Sequence, residues 1–199
     1  MVIVTPNPEQ LVESRSDPQF ALLLNQADVA LPDGIGIAAM LGVKRIPGIE
    51  FMEDLARMAA DRSAGIGLIG GSPGLAVKAL ECLCKKYSGL HGWATTPEES
   101  DVSDIIQKIK KNNTKFVFVG LGAPKQELFI ETLKDKVPAL YMSVGGSFDV
   151  IAGRLKRAPL FIRSIGFEWA WRLFQEPWRW KRQLALVQFV WLVMMEKLF

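Results

Sequence analysis

The chain contains few residues of the kinds that form metal or disulfide sites. Among its 199 residues there are one histidine, His91, and two cysteines, Cys82 and Cys84. A Cys₂His₂ zinc site is therefore excluded, and the spacing of the carboxylates suggests no other zinc site. The two cysteines are two positions apart in a predicted helix, so they point to different faces and are poorly placed for a disulfide. We expect reduced thiols, an intracellular compartment and no bound metal.

Motifs that would indicate a nucleotide hydrolase or a dinucleotide enzyme are also missing. No GxxxxGK[ST] string is present, which argues against a P-loop hydrolase. The string Gly65–Gly70 matches GxGxxG, but Gly65 and Gly67 lie at the start of a predicted strand rather than after it. No Asp-x-Asp pair follows an apolar strand, so a sugar-nucleotide enzyme of this sequence would bind its diphosphate with cationic side chains. The N-terminus has neither the basic region nor the long apolar run of a secretory signal.

Positive charge and tryptophan are concentrated at the C-terminal end. Residues 1–153 carry 15 basic and 18 acidic residues, whereas residues 154–199 carry 9 basic and 3 acidic residues and five of the six tryptophans. The apolar run Leu184–Met195 would span only about 18 Å as a helix, short of the roughly 30 Å hydrocarbon core of a bilayer. We expect this tail to lie at an anionic membrane surface or to dock on the rest of the chain. Lipid headgroups or a substrate diphosphate could be bound by Arg172, Arg179 and Arg182.

The rest of the chain alternates short apolar runs with helical patterns. The predicted buried strands are Val2–Val4, Val29–Leu31, Ile66–Ile69, Phe116–Val119 and Leu140–Val144. Helical patterns lie near residues 17–26, 50–63, 74–87, 99–112 and 125–135. This alternation predicts an α/β fold in which a parallel sheet is covered by helices on both faces. With 49% hydrophobic residues, the chain has enough apolar side chains for one such domain.

Candidate binding residues follow the predicted strands. Ligands of open parallel sheets bind beyond the carboxyl ends of the strands, and glycine and polar residues are concentrated there, as is typical of a phosphate or nucleotide site. The candidates are Thr5 and Asn7 after the first strand, Asp33 after the second, Gly70 and Gly71 after the third, Gly122, Lys125, Gln126 and Glu127 after the fourth, and Gly145, Gly146 and Asp149 after the fifth.

Two of these residues also have a purely structural interpretation. Asn7, followed by Pro8 and Gln10, has the pattern of a helix N-cap, which does not exclude a substrate contact. Asp33 could cap a helix that begins near Ile35, or it could act as a general base at the end of its strand. The spacing alone leaves both interpretations of Asp33 open.

Longer motifs extend through nearly the whole chain in a fixed order. They are Thr5–Glu9, Leu31–Gly36, Arg45–Glu50, Leu68–Gly71, Gly120–Glu127, Val144–Asp149, Gly153–Pro159 and Glu168–Leu173 with Glu176-Pro177. On these segments the sequence resembles the WecG/TagA/CpsF family of bacterial glycosyltransferases, whose members build cell-surface polymers. The family usually has a further strand and helix before Thr5–Glu9, so we expect either a shortened chain or a sheet without one edge strand. Trp93 stands where the family usually has a tyrosine, and it could stack on a nucleoside base.

The resemblance implies a Rossmann-like catalytic domain over residues 1–159 and a basic, tryptophan-rich helical appendage near the membrane over residues 160–199. It implies an inverting, metal-independent transfer of an N-acetylmannosamine-type sugar from a UDP donor to a polyprenyl-diphosphate-linked acceptor sugar. The product would belong to wall teichoic acid, enterobacterial common antigen or an exopolysaccharide. No cofactor is implied besides the UDP-sugar substrate. The enzyme would be cytoplasmic and peripheral at the inner face of the cell membrane, and off the membrane a second copy could cover its apolar tail.

The resemblance also implies roles for individual residues. Asp33 matches the general base that deprotonates the acceptor hydroxyl, and Thr5 and Asn7 would line the sugar pocket. Gln126 and Asp149 match family positions near the nucleoside, and the tail arginines would reach the diphosphates. The implied substrate-binding residues are Arg45, Gly70, Gly71, Gly122, Lys125, Gln126, Glu127, Asp149, Arg172, Arg179 and Arg182.

Three other classes of function compete with this one. A non-catalytic membrane-docking protein could bind a nucleotide sugar as a signal, and it would not depend on Asp33 for any reaction. An NAD-dependent oxidoreductase would use the glycine-rich third loop, but the displaced GxGxxG string argues against it. Nucleic-acid binding by the basic tail lacks a recognisable motif, and the apolar run Leu184–Met195 is a poor partner for phosphates, so no nucleic-acid partner is expected.

Overall fold

Short, mostly apolar segments form one parallel sheet in the computed structural model, which describes residues 1–196 apart from the side chains at 181, 182 and 196. The strands are β1 (Val2–Val4), β2 (Val29–Ala30), β3 (Gly65–Gly70), β4 (His91–Thr95), β5 (Thr114–Gly120) and β6 (Leu140–Ser143). Their order across the sheet is β2-β1-β6-β5-β3-β4, and every pairing is parallel. The N-terminal strand β1 is therefore an inner strand, paired with β2 on one side and β6 on the other.

Helices connect the strands and cover both faces of the sheet. They are α1 (Pro8–Ser14), α2 (Pro18–Asn25), α3 (Ile35–Leu41), α4 (Gly48–Asp61), α5 (Leu75–Lys86), α6 (Val102–Lys111), α7 (Lys125–Lys134), α8 (Ser147–Ile151), α9 (Leu160–Ser164), α10 (Glu168–Gln175) and α11 (Trp180–Glu196), with a 3₁₀ turn at Pro177–Arg179. The predicted Rossmann-like α/β fold is confirmed.

The two faces of the sheet carry separate hydrophobic cores. Successive side chains of a strand point to opposite faces, and β5 shows this clearly. Phe116 and Phe118 enter the core under α4, α5 and α8, whereas Val117 and Val119 enter the core under α6 and α7. A strand that is buried on both faces consists of a continuous apolar run, which is why the inner strands are visible in the sequence.

Strand β4 was not predicted, because it lies at the edge of the sheet and lacks a continuous apolar run. Its residues alternate between buried and more exposed positions, and Trp93 and Thr95 are the buried ones. The Trp93 indole packs over Gly67 of β3 and donates a hydrogen bond from Nε1 to Thr114 Oγ1 at 2.9 Å. The hypothesis that Trp93 stacks on a nucleoside base is therefore wrong, since its ring belongs to the core.

The same packing explains the string Gly65–Gly70. Gly65 and Gly67 lie at the start of β3, as predicted, and the strand also includes Gly70, so these glycines do not form a loop around a dinucleotide. A side chain at Gly67 would occupy the space of the Trp93 ring, and one at Gly65 would collide with the backbone carbonyl of Asn112. These glycines allow neighbouring groups to approach the strand closely.

The C-terminal tail folds back onto the sheet domain. Helix α11 packs against α1, and its Phe189 is buried beside Gly36 of α3. Gly166 lies against Ile35 at the start of α3. Of the two expectations for the tail, docking on the rest of the chain is observed. None of the helices in residues 1–196 combines the length and the apolar character needed to cross a membrane.

Replacing Gly67 with alanine should destabilise the fold, because the new Cβ would lie 2.5 Å from Cζ2 of Trp93. Overpacking of this kind costs about 1–3 kcal/mol in the free energy of unfolding, which urea titration measures. In a Trp93→Val background the indole is absent, and the same Gly67→Ala change should cost clearly less. Equal losses in the two backgrounds would show that the indole does not occupy this space.

Candidate active site

A cleft opens at the carboxyl ends of β1, β2 and β6, and the C-terminal tail forms its opposite wall. Its volume is about 460 Å³, within the usual range for small-molecule sites. Side chains from the sheet edge and from α10 and α11 both contribute to the lining. The predicted site residues that line it are Thr5, Asn7, Asp33, Arg45, Gln126, Arg172 and Arg179, and the predicted Gly145 and Gly146 lie there as well.

Asp33 does not cap a helix. Helix α3 begins at Ile35 with Gly34 at the N-cap position and no side-chain cap, so the capping interpretation of Asp33 is wrong. Its carboxylate instead faces the first turn of α4, near the Gly48 backbone N–H, and Oδ1 accepts a hydrogen bond from Arg45 Nη2 at 3.2 Å. The side chain therefore faces the cleft and is not used to start a helix.

The environment of Asp33 suits a general base. Burial raises its pKa above the ordinary value of 3.8, although the charge of Arg45 and the Gly48 N–H oppose that change. A raised pKa makes a carboxylate a better proton acceptor. Arg45 itself remains protonated: burial lowers its pKa, but hydrogen bonds and charges from Glu168 and Asp33 raise it by more.

Thr5 and Gly48 set the floor of the cleft beside Asp33. The Thr5 hydroxyl donates to the Ser143 backbone carbonyl of β6 at 3.2 Å, so this side chain is fixed by the neighbouring strand. A Cβ at Gly48 would lie 3.0 Å from Thr5 Cγ2 and 3.2 Å from Asp33 Oδ2. Glycine at the start of α4 therefore lets the helix approach both side chains closely.

Asn7 is an N-cap that also lines the cleft. Its Oδ1 accepts from the Gln10 N–H at 3.0 Å, and Gln10 Oε1 accepts from the Asn7 N–H at 3.1 Å. The predicted capping box is thus confirmed, with Pro8 in the first turn of the helix. Since the cap uses Oδ1, the atom of Asn7 that remains for a ligand in the cleft is Nδ2.

Gln126 and Glu127 form a buried pair at the start of α7. Gln126 Nε2 donates to Glu127 Oε1 at 2.8 Å, and Gln126 Oε1 accepts from the Gly145 N–H at 3.0 Å. Burial raises the pKa of Glu127, against the hydrogen bonds that stabilise its carboxylate. Of the two residues, Gln126 reaches the cleft and Glu127 orients its amide from behind.

Two of the three predicted tail arginines lie in the cleft wall. Arg172 Nε and Arg179 Nη1 both bind Glu176 Oε2, at 3.0 and 3.4 Å. This carboxylate therefore holds the two arginines close together, although the chain is not helical continuously from α10 to α11. The Arg172 guanidinium also lies against the backbone of Gly146 at the end of β6. The third arginine, Arg182, falls on a position whose side chain lies outside the described residues.

The other predicted binding residues lie outside this cleft. Gly70 is the last residue of β3 and Gly71 follows it, with φ of +111° and +79°, and the Gly71 N–H donates to the Gly120 carbonyl at 3.0 Å. These glycines and the exposed Gly122 and Lys125 belong to the β3–β5 half of the same sheet edge. Asp149 lies 3.4 Å from Arg154. A substrate role for these residues stays a prediction.

Comparison with known proteins agrees with this architecture. The model of the glycosyl transferase WecG/TagA/CpsF family matches residues 1–199. The N-acetylglucosaminyldiphosphoundecaprenol N-acetyl-beta-D-mannosaminyltransferase of Bacillus spizizenii is 32% identical over 196 residues, which cover 94% of this chain and 76% of that protein. The chain belongs to the WecG/TagA/CpsF family of glycosyltransferases.

In this glycosyltransferase, several residues of the cleft had no predicted role, and Glu168 is the one that contacts Arg45. Glu168, the first residue of α10, binds Arg45 Nη2 through Oε2 at 2.8 Å. A signal for it exists in the sequence: residues 154–199 contain only 3 acidic residues among 9 basic ones, so each carboxylate there has several candidate arginine partners. The charge count alone does not show which arginine Glu168 binds.

The described part of this glycosyltransferase contains no group of three or more histidine, cysteine or carboxylate side chains arranged to hold a metal ion. Positive charge in the cleft is instead supplied by side chains that include Arg45, Lys156, Arg157, Arg172 and Arg179. These guanidinium and ammonium groups can bind phosphate oxygens.

Substitutions at Asn7 should separate capping from substrate contact. Asn7→Ser keeps an N-cap oxygen but removes the amide, so stability should stay near wild type while transferase activity falls. Asn7→Ala should also lose about 1 kcal/mol of stability, as measured by chemical denaturation. Asp17→Ala, which removes the cap of α2 away from the cleft, is the matched control: it should lose similar stability and keep its activity. Wild-type activity of Asn7→Ser would mean that Asn7 only caps.

Proposed function

We propose that this glycosyltransferase moves an N-acetylmannosamine-type sugar from a UDP donor to a polyprenyl-diphosphate-linked N-acetylglucosamine, with inversion at the anomeric carbon and without a metal ion. The observation that carries the proposal is a partly buried carboxylate, Asp33, in the same cleft as the tail arginines. The name of the Bacillus spizizenii relative supports both the transferred sugar and the acceptor.

Asp33 would act as the base in a single displacement. Its carboxylate takes the proton of the acceptor hydroxyl while the hydroxyl oxygen forms the new bond to the anomeric carbon. The bond between that carbon and the diphosphate oxygen breaks at the same time, and UDP leaves with the electron pair. One displacement on one face of the sugar inverts the configuration, and the raised pKa of Asp33 favours the proton transfer.

The arginines would stabilise the charge on the leaving diphosphate. Glu176 holds Arg172 and Arg179 together, and Arg172 lies against Gly146 beyond the end of β6. Guanidinium groups bind phosphate oxygens in a fixed geometry and provide charge where some glycosyltransferases use a divalent cation. The glycine loops after β3 and β5 lie along the same edge of the sheet, and their positive φ angles would let backbone N–H groups approach a nucleotide.

The tail would hold the cleft at a membrane, where a polyprenyl acceptor is located. Along α11, more than half of each side chain is exposed at Trp180, Leu184, Val187, Trp191 and Met194, which recur every three or four residues. We call these five residues the outer stripe. An apolar stripe on a basic, tryptophan-rich segment is typical of a helix that lies in the membrane interface.

The transfer reaction is tested with UDP-N-acetylmannosamine and a short-chain polyprenyl-diphosphate-N-acetylglucosamine, following UDP release in EDTA. Wild type should turn over, and Asp33→Asn should lose about 10²- to 10⁴-fold in kcat while still binding UDP. Its melting temperature should not fall at pH 7, because a carboxylate whose pKa rises on folding opposes folding when ionised. Asp17→Asn, which keeps a competent cap on α2, is the matched control and should behave as wild type.

Each alternative result has a definite meaning. Full turnover by Asp33→Asn would exclude Asp33 as the base. UDP binding without turnover in wild type would favour another sugar or acceptor, or a non-catalytic sensor. Turnover that is lost in EDTA and restored by Mg²⁺ would contradict the metal-independent step.

Membrane docking is tested by charges in the outer stripe. Val187→Glu and Trp191→Glu should weaken binding to vesicles of anionic phospholipid by about tenfold or more, since each change removes apolar area from the interface. Turnover of the short-chain acceptor should persist, because neither residue lines the cleft. Val77→Glu on α5, another exposed apolar position, is the control and should bind vesicles as wild type does. Unchanged vesicle binding by both stripe variants would contradict this mode of docking.

A further inference from the structure

A chain of ion pairs connects the base to the tail. Arg45 is shared by Asp33 at 3.2 Å and Glu168 at 2.8 Å, Glu168 lies 3.7 Å from Arg157, and Glu50 accepts from Arg157 at 2.6 Å and from Arg163 at 3.2 Å. Three of these residues belong to the sheet domain and three to the segment from 157 to 168. Among the ion pairs of the described residues, the pair of Arg45 with Glu168 joins the tail directly to a side chain that binds Asp33.

Arg45 makes a single contact with the base. One nitrogen, Nη2, serves both carboxylates, and the shorter distance is to Glu168. Within the described residues, the buried Nε of Arg45 has no hydrogen-bond partner. An arginine beside one carboxylate commonly forms two parallel hydrogen bonds with it. Glu168 opposes that arrangement by drawing the guanidinium toward α10.

The charges around Asp33 come from every wall of the cleft. Besides Arg45 and Glu168, the charged side chains in these walls are Glu9 of α1 together with Lys156, Arg157, Arg172 and Arg179. Of all these groups, Arg45 lowers and Glu168 raises the pKa of Asp33. Loss of the Glu168 charge would therefore leave burial as the opposing effect, with no carboxylate charge to offset that of Arg45 at the base.

We propose that Glu168 is a positioning residue for the transfer reaction, because it holds Arg45 in one-point contact with Asp33 and so makes the base depend on a docked α10. The inference rests on the proposed function and adds a residue to it. Glu168 acts through Arg45 rather than on the substrate. The tail then supplies a carboxylate that keeps the base free to accept a proton, in addition to arginines that face the diphosphate.

The test compares two carboxylates of the same chain of ion pairs. Glu168→Gln should lower kcat by about 10- to 100-fold with little change in the KM for the UDP-sugar. The acid limb of its pH profile should move to lower pH, because Arg45 then stabilises the Asp33 carboxylate. Glu50→Gln also breaks ion pairs between the tail and the sheet domain but does not touch Arg45. It should keep the kcat and the pH profile of wild type.

A double-mutant cycle with Arg45→Gln separates positioning from general damage. Arg45→Gln alone should move the acid limb to higher pH, and adding Glu168→Gln should cause no further loss of kcat. If Glu168→Gln does not fold, Glu168→Asp takes its place in the cycle. The inference would be overturned if the losses of kcat in the double variant were additive, or if Glu168→Gln kept the wild-type pH profile. It would also be overturned if Glu50→Gln shifted the acid limb of the pH profile as Glu168→Gln does. None of these results would affect the proposed function, which Asp33→Asn and the EDTA assay test separately.

Discussion

The Arg45 guanidinium between two carboxylates is the interaction on which the cleft depends. Asp33 reaches it from the sheet edge and Glu168 from the tail, at 3.2 and 2.8 Å. Half-buried charges are costly unless they are paired, and removing one partner leaves the others uncompensated. The two walls of the cleft are thus connected at the carboxylate that the proposed reaction uses as its base. A tail that left the sheet domain would break this arrangement as well as remove the arginines at the end of β6.

Backbone geometry determines where Asp33 can act. Because β2 ends at Ala30, three residues before it, and because Gly34 rather than Asp33 occupies the N-cap of α3, the carboxylate is left to face α4 and the cleft. Because Gly48 has no side chain, the first turn of α4 can approach Thr5 and Asp33 closely. Burial and the positive charge of Arg45 then have opposite effects on the pKa of the carboxyl, and burial is the larger.

Much of this architecture can be predicted from the sequence, and what cannot has physical causes. Inner strands such as β5 are buried on both faces and form continuous apolar runs, so they were predicted, whereas the edge strand β4 alternates and was not. The Asn7 cap was predicted because its signal is local. The interpretation of Asp33 as an N-cap was wrong, because a glycine, Gly34, occupies that position without a side-chain hydrogen bond. The role of Glu168 depends on a contact 123 residues away along the chain, which spacing cannot show.

The most direct test of the central claim is a ¹³C NMR titration of the Asp33 side-chain carboxyl in the folded protein, assigned by comparison with Asp33→Asn. If the cleft buries this carboxylate more strongly than Arg45 stabilises it, the midpoint lies above the ordinary 3.8. If burial makes Asp33 a better base, its midpoint must be raised in this way. A midpoint at or below 3.8 would mean that the ion pair with Arg45 dominates, and Asp33 would then be an anchor for the arginine rather than the base.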